Sequence, residues 1–128
     1  MSVARVKGPK GSCDRLFSLI VRAHGQCERC GLYGASRDFQ CAHIISRRYS
    51  TTRCRTDAPM NAWCLCPRCH FETTADGVEF ADLVDATIGR PAYEELRLIA
   101  LEGVGVKVDW SEERKRLRRI WNELAAAA

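Results

Sequence analysis

No stretch of the 128-residue sequence is long and apolar enough to span a membrane, and its opening, MSVARVKGPKGSC, lacks the apolar centre of a secretory signal. These absences lead us to expect an intracellular, cytoplasmic chain with no membrane partner. Histidine is scarce, with three residues, as are proline, with four, and methionine, with two. There is no internal repeat and no low-complexity segment beyond the terminal alanines. Composition also excludes a disordered chain, since 46% of residues are hydrophobic and 28% charged. At this length one domain with a modest core is expected, covering residues 1–128.

Cysteine, by contrast, is abundant, with eight residues. In a secreted chain that number would suggest disulfides, but without an export signal the two C-x-x-C pairs point to metal. Cys27-Glu28-Arg29-Cys30 and Cys66-Pro67-Arg68-Cys69 each present two thiolates from one turn, and two such turns close a tetrahedron. Four thiolates in a tetrahedron suit structural zinc, which ties together segments distant in sequence. A redox dithiol would need one such pair beside a βαβ pattern, and that pattern is missing. Cys64, two residues before Cys66, is a minor ambiguity as a substitute ligand, while Cys13, Cys41 and Cys54 read as buried or free thiols.

The net charge of +4 is unevenly placed. Residues 1–70 carry 12 Lys and Arg against 4 Asp and Glu, whereas residues 71–128 carry 8 against 12. The basic excess therefore sits with the cysteine motifs, where it suits a polyanion. Arg47, Arg48, Arg53 and Arg55 crowd one aperiodic stretch, RRYSTTRCRTDAPMN, and are the expected donors to phosphate.

Patterning predicts an α+β chain. Residues 1–11 read as a loose basic arm, and CDRLFSLIVRAHG as a helix closed by Gly25 and leading into Cys27. CERCGLYG reads as a tight turn, Arg37–Ser46 as a short strand, AWCLC as a return strand, and the residues after Pro67 as a helix ended by Gly77. Residues 12–77 thus form a compact core with its leading helix, and 78–128 a helical extension. The last helix, capped by Asp109 or Ser111, sets Leu117, Ile120, Trp121 and Leu124 on one stripe and arginines around it.

His43 lies on the strand between the cysteine pairs and His70 directly after the second, so a metal knot would draw both towards Asn61. His24 reads as a histidine packed at a helix end. In order and spacing, Cys27, Cys30, His43, Asn61, Leu65, Cys66, Cys69 and His70 resemble the HNH nucleases of the ββα-metal fold in their four-cysteine, zinc-bearing form. The match covers about residues 27–76. AHIISRR, Thr52-Arg53 and the run from Asp57 to Asn61 further resemble a phage-type branch that includes lambdoid recombination nucleases acting on branched DNA.

The resemblance implies a ββα-metal core with a structural zinc knot, flanked by the N-terminal helix and C-terminal helices. It implies a DNA endonuclease or nickase that uses one catalytic divalent cation, Mg2+, Mn2+ or another transition metal, to hydrolyse phosphodiesters in phage DNA recombination or processing. In that scheme His43 is the general base, Asn61 either orients its ring or joins the metal shell, and His70 ligates the cation. A phage-encoded chain would work in the host cytoplasm, and cutting both strands would require a homodimer. One departure stands out: most of the family carries a metal-binding residue just before the base, and here it is Ala42, a gap that Asp57 could fill. The alternative is a non-catalytic zinc-knuckle module that binds nucleic acid, and the two part at His43 and His70.

Overall fold

The computed structural model describes residues 6–128, so residues 1–5 of the expected arm lie outside the described residues. Five helices and two strands follow in the order α1 (Gly8–Arg22), β1 (Gln40–His43), β2 (Ala62–Leu65), α2 (Pro67–Ala75), α3 (Gly77–Ala86), α4 (Arg90–Glu102) and α5 (Trp110–Ala127). A single 3-10 turn, Ser36–Asp38, precedes β1. The chain is α+β, as the patterning predicts.

Helix α1 begins earlier than its sequence suggests. Pro9 occupies its first turn, where the fixed backbone angle suits a helix and no N–H is needed, so the glycine-rich stretch from Gly8 is helical rather than loose. Gly11 is buried there, and only glycine fits because a Cβ would collide with the carbonyl of Val6. The helix stops one turn before Gly25, whose φ of +73° turns the chain towards the first cysteine pair.

The strands pair antiparallel with Gln40 opposite Leu65, Cys41 opposite Cys64, Ala42 opposite Trp63 and His43 opposite Ala62. Strand β1 is shorter than the expected Arg37–Ser46. Its entry is taken by the 3-10 turn, where Asp38 accepts the Ala35 N–H at 2.8 Å, and beyond His43 the Ile45 N–H bonds a side chain instead of β2. Residues 44–61 form an irregular loop, in line with their lack of period.

Gly77 does not end a helix but starts one. Asp76 terminates α2 and caps α3, its carboxylate accepting the Val78 N–H at 2.9 Å. Between the two readings of the last helix start, the structure selects Asp109, which accepts from the N–H groups of Ser111 and Glu112. One buried cluster draws on every helix and both strands, from Cys13 and Phe17 in α1 to Leu83, Leu96 and Leu117 in α3, α4 and α5. Trp63 of β2 anchors the C-terminal helices: its indole N–H donates to Thr87 at 2.9 Å, and its ring meets Phe80 edge-on, which in turn meets Tyr93. Among the described residues no helix is long and apolar enough to cross a membrane.

Candidate functional site

Cys27, Cys30, Cys66 and Cys69 converge, with all four sulfur atoms within 4.8 Å of one another. Such a set can hold a structural metal such as zinc, and its four soft donors fit that ion. The first turn is closed by backbone bonds from Cys27 to Leu32 and from Gly31 back to Cys27, with Gly31 at φ +80°. It is strapped to β2 as well, since the Glu28 N–H donates to the Cys64 carbonyl at 2.9 Å and the Glu28 carboxylate accepts the Cys64 N–H at 2.6 Å. Cys64 joins this strap through its backbone, and its sulfur is not among the four that converge.

Cys66 is the N-cap residue of α2 and Cys69 sits in its first turn, so the thiol cluster fixes where that helix begins. Arg29 bridges onward, its guanidinium donating to Glu72 of α2 at 2.7 Å and Glu79 of α3 at 2.8 Å. Arg29 and Arg68 both carry their charge close to Cys69, so two cations stand against a group that carries net negative charge when metallated. Burial opposes ionisation of Cys27, yet backbone N–H donors from Cys30, Cys66 and Arg29 outweigh it and bring the thiol down to about 6. Burial and the neighbouring thiols push Cys69 up to about 12 despite Arg29.

His70 follows the cluster directly, and its ring Nδ1 donates to the Gln40 side-chain oxygen at 2.6 Å, leaving Nε2 with its lone pair. His43, at the end of β1, is half-buried and lies against the Phe17 ring of α1 with centroids 5.4 Å apart. Its Nε2 donates to the Arg53 carbonyl at 2.8 Å. A carbonyl only accepts, so Nε2 carries the proton and Nδ1 is the free basic nitrogen of the neutral ring. Burial above all holds His43 below its ordinary value of 6.5; the Arg53 carbonyl and Asp14 oppose this, and Arg47 adds to it. The ring is therefore neutral at physiological pH.

The two histidines line two depressions together. One, of about 350 Å³, adds Ala42, Ser46, Thr73 and Phe80; the other, of about 550 Å³, adds Asp14, Ser18, Arg22, Gln40, Cys41 and Arg47. Burial pushes the Cys41 thiol up to about 12, so it stands there uncharged.

Other residues expected at the site lie elsewhere or are already engaged. Asn61 is fully buried and meets the backbone alone: its oxygen accepts the Ile45 N–H at 2.7 Å, and its amide donates to the carbonyls of Ile45 at 3.1 Å and Thr52 at 2.8 Å. Both of its polar atoms are engaged, it lines neither depression that the histidines line, and it pins the loop. Asp57 is exposed and lines two other depressions, neither of which includes His43 or His70, so it does not fill the gap at Ala42. Arg53 is buried, its fork clamped by Asp14, and Arg55 donates to the carbonyls of Pro59 and Ala58. Arg53 is therefore not free for phosphate, whereas half-buried Arg55 keeps its Nη1 unbonded. Arg47 and Arg48 are exposed, and Arg48 lies over the Tyr49 ring.

Arg22 and Asp14, both on α1, belong to the cleft but were not indicated by the sequence. Their spacing of eight residues, with Ser18 between, does place them on one helical face, which is the only available sign. Apart from the four thiols, the described residues hold no close group of three or more His, Cys, Asp or Glu side chains. No family model, curated protein or solved structure matches the chain.

Proposed function

We propose that the chain is an HNH-type DNA endonuclease that nicks a strand by hydrolysing a phosphodiester, with His43 as general base and His70 as the protein's ligand for a divalent cation. The observation that carries this reading is the His43 bond to the Arg53 carbonyl. It leaves a neutral imidazole with its basic Nδ1 free, in the same depressions as a second imidazole whose Nε2 is free. A general base needs that protonation state and that reach.

The order β1, β2, α2, with the thiol cluster at the start of α2, supports a ββα-metal core. The cluster does no chemistry in this reading. It sets the first turn of α2, and so His70, against β1, which carries Gln40 and His43. Arg47, exposed, and Arg22, whose Nη2 is left over after Nε bonds Ser18 and Nη1 bonds Ser36, line the larger depression and provide guanidinium groups for the phosphates on either side of the scissile bond.

The cleft fits a cation sparingly: His70 offers one imidazole, Ala42 offers nothing, and water and phosphate oxygens complete the shell. A cation bound there would polarise the phosphate and stabilise the leaving oxygen. A lone imidazole anchor favours nickel, zinc or another transition ion over magnesium. The setting in phage recombination and branched DNA follows the resemblance alone, as does a homodimer for cutting both strands.

Incubating the protein with supercoiled plasmid and magnesium, manganese, nickel, cobalt or zinc tests the reading, and open circles should form with at least one ion. The same sparse donor set favours a second reading, a nucleic-acid-binding module that does not cut. DNA retention without nicking under every ion would select it.

A further inference from the structure

Asp14 lies on α1, well before the cysteine and histidine motifs, and the chemistry assigned above does not use it. Both of its carboxylate oxygens hold Arg53, Oδ1 accepting from Nε at 2.8 Å and Oδ2 from Nη2 at 2.6 Å. The remaining arm of the fork, Nη1, donates to the Arg47 carbonyl at 3.1 Å. The backbone carbonyl of this same Arg53 is the acceptor for His43.

We propose that Asp14 is a positioning residue for His43: by clamping the Arg53 fork to α1 it fixes the Arg53 carbonyl, and through it the ring tautomer that leaves Nδ1 free. The catalytic meaning of this role rests on the endonuclease reading, whereas the tautomer does not.

The loop of residues 44–61 contains no regular element, so side-chain anchors must set where its carbonyls point. Two anchors act on consecutive residues. Asn61 holds the Thr52 carbonyl from the residue before β2, and Asp14 holds the Arg53 side chain from α1. Phe17, one turn after Asp14 on the same helix, supports the ring of His43 itself. One face of α1 thus supplies both the clamp and the wall against which the imidazole rests.

A role as cation ligand does not suit Asp14, because Arg53 occupies both oxygens and Arg47 stands 3.9 Å away. Nor does stability by itself explain the pair. Apolar residues of similar size commonly replace a buried ion pair at no loss, whereas two parallel hydrogen bonds fix a geometry that apolar contact does not.

The test uses the full chain with its zinc, the variants Asp14→Asn and Arg53→Lys, and the histidine ring nitrogen shifts in long-range nitrogen–proton correlation spectra. Recorded at about pH 8, above the ordinary histidine range, these shifts report tautomers directly. In the wild type His43 should be wholly the Nε2–H form. In Asp14→Asn, a mixture with Nδ1–H should appear, while His70, held by Gln40, stays unchanged as an internal reference.

Nicking turnover should fall roughly 10- to 100-fold, the scale of a misplaced catalytic group, with DNA affinity unchanged or tighter. Arg53→Lys keeps a buried cation for Asp14 but loses the fork, and it should give the same mixture; it decides the matter if Asp14→Asn does not fold. A single Nε2–H form in either folded variant overturns the proposal. Loss of folding in both also overturns it, since the pair would then be a structural strut. A wild type that nicks nothing would remove the endonuclease reading and leave the tautomer result standing.

Discussion

Asn61 and Thr52 are joined by a hydrogen bond of 2.8 Å from a fully buried amide to a backbone carbonyl, one residue before the carbonyl that receives the His43 proton. The carbonyl that holds the His43 ring thus follows directly on one pinned by a side chain that lines neither depression. Asn61→Ala leaves three buried backbone groups without their partner, and each such loss costs about 1–3 kcal/mol. Partial relaxation should bring the total to roughly 2–4 kcal/mol. Denaturant titration should show this loss with zinc still bound, and an unchanged midpoint would mean that the loop is held by other contacts.

The four-thiol group gives a stoichiometric expectation. Purified protein should contain about one zinc per chain, and Cys27→Ser or Cys66→Ser should unfold it, because structural zinc contributes on the order of 10 kcal/mol, comparable with a domain's whole stability. Metal analysis beside circular dichroism checks this. Well-folded protein free of zinc would contradict it.

His43→Ala should retain zinc and DNA affinity, lose a modest amount of stability through the Phe17 contact, and cut roughly 10² to 10⁴ times more slowly. His70→Ala should also slow cutting, but added divalent ion should restore part of that loss, as weakened binding is recovered by mass action. Nicking assays across ion concentration separate the two, and rescue of the His43 variant would reverse the assigned roles.

The lowered pKa of His43 has a definite sign. A ring that is neutral when folded and ordinary when unfolded takes up more protons on unfolding below 6.5. Its contribution to stability is complete above 6.5 and is lost as pH falls below that value. The acid limb of the nicking profile should likewise have its midpoint below 6.5, where the base becomes protonated. A midpoint above 6.5 would place the ring in a more polar setting than the one described.

Replacing Arg22 and Arg47 with Gln should weaken DNA binding on every sequence and flatten its dependence on salt, since phosphate contacts carry no base information. Arg53→Ala should instead lower stability, because it strips the partner from half-buried Asp14. Filter binding across salt concentrations, set beside thermal melts, distinguishes these effects. Equal loss of salt slope in both variants would argue that Arg53 turns outward on DNA.

The thiol cluster was legible because C-x-x-C spacing encodes a donor geometry that survives any fold, and His70 was placed by its adjacency to Cys69. Arg53 was not, because arginine is normally exposed and its partner Asp14 is 39 residues away. Asn61 was recognised as important but given two roles, and only the structure shows that its polar atoms all face backbone. Gly77 was misread since a glycine after a helix usually ends it, whereas here Asp76 stops one helix and caps the next.

Arg29 sits within the first cysteine turn yet holds a carboxylate on each of two successive helices, Glu72 on α2 and Glu79 on α3. Occupancy of the thiol group is therefore communicated past its own neighbourhood: a chelator that empties it frees the turn bearing Arg29 and releases both carboxylates at once. As the chain loses its metal and unfolds, the joint at Asp76 would open to proteases ahead of α5, which is packed on α1, so that early cleavage between α2 and α3 serves as a gauge of metal content.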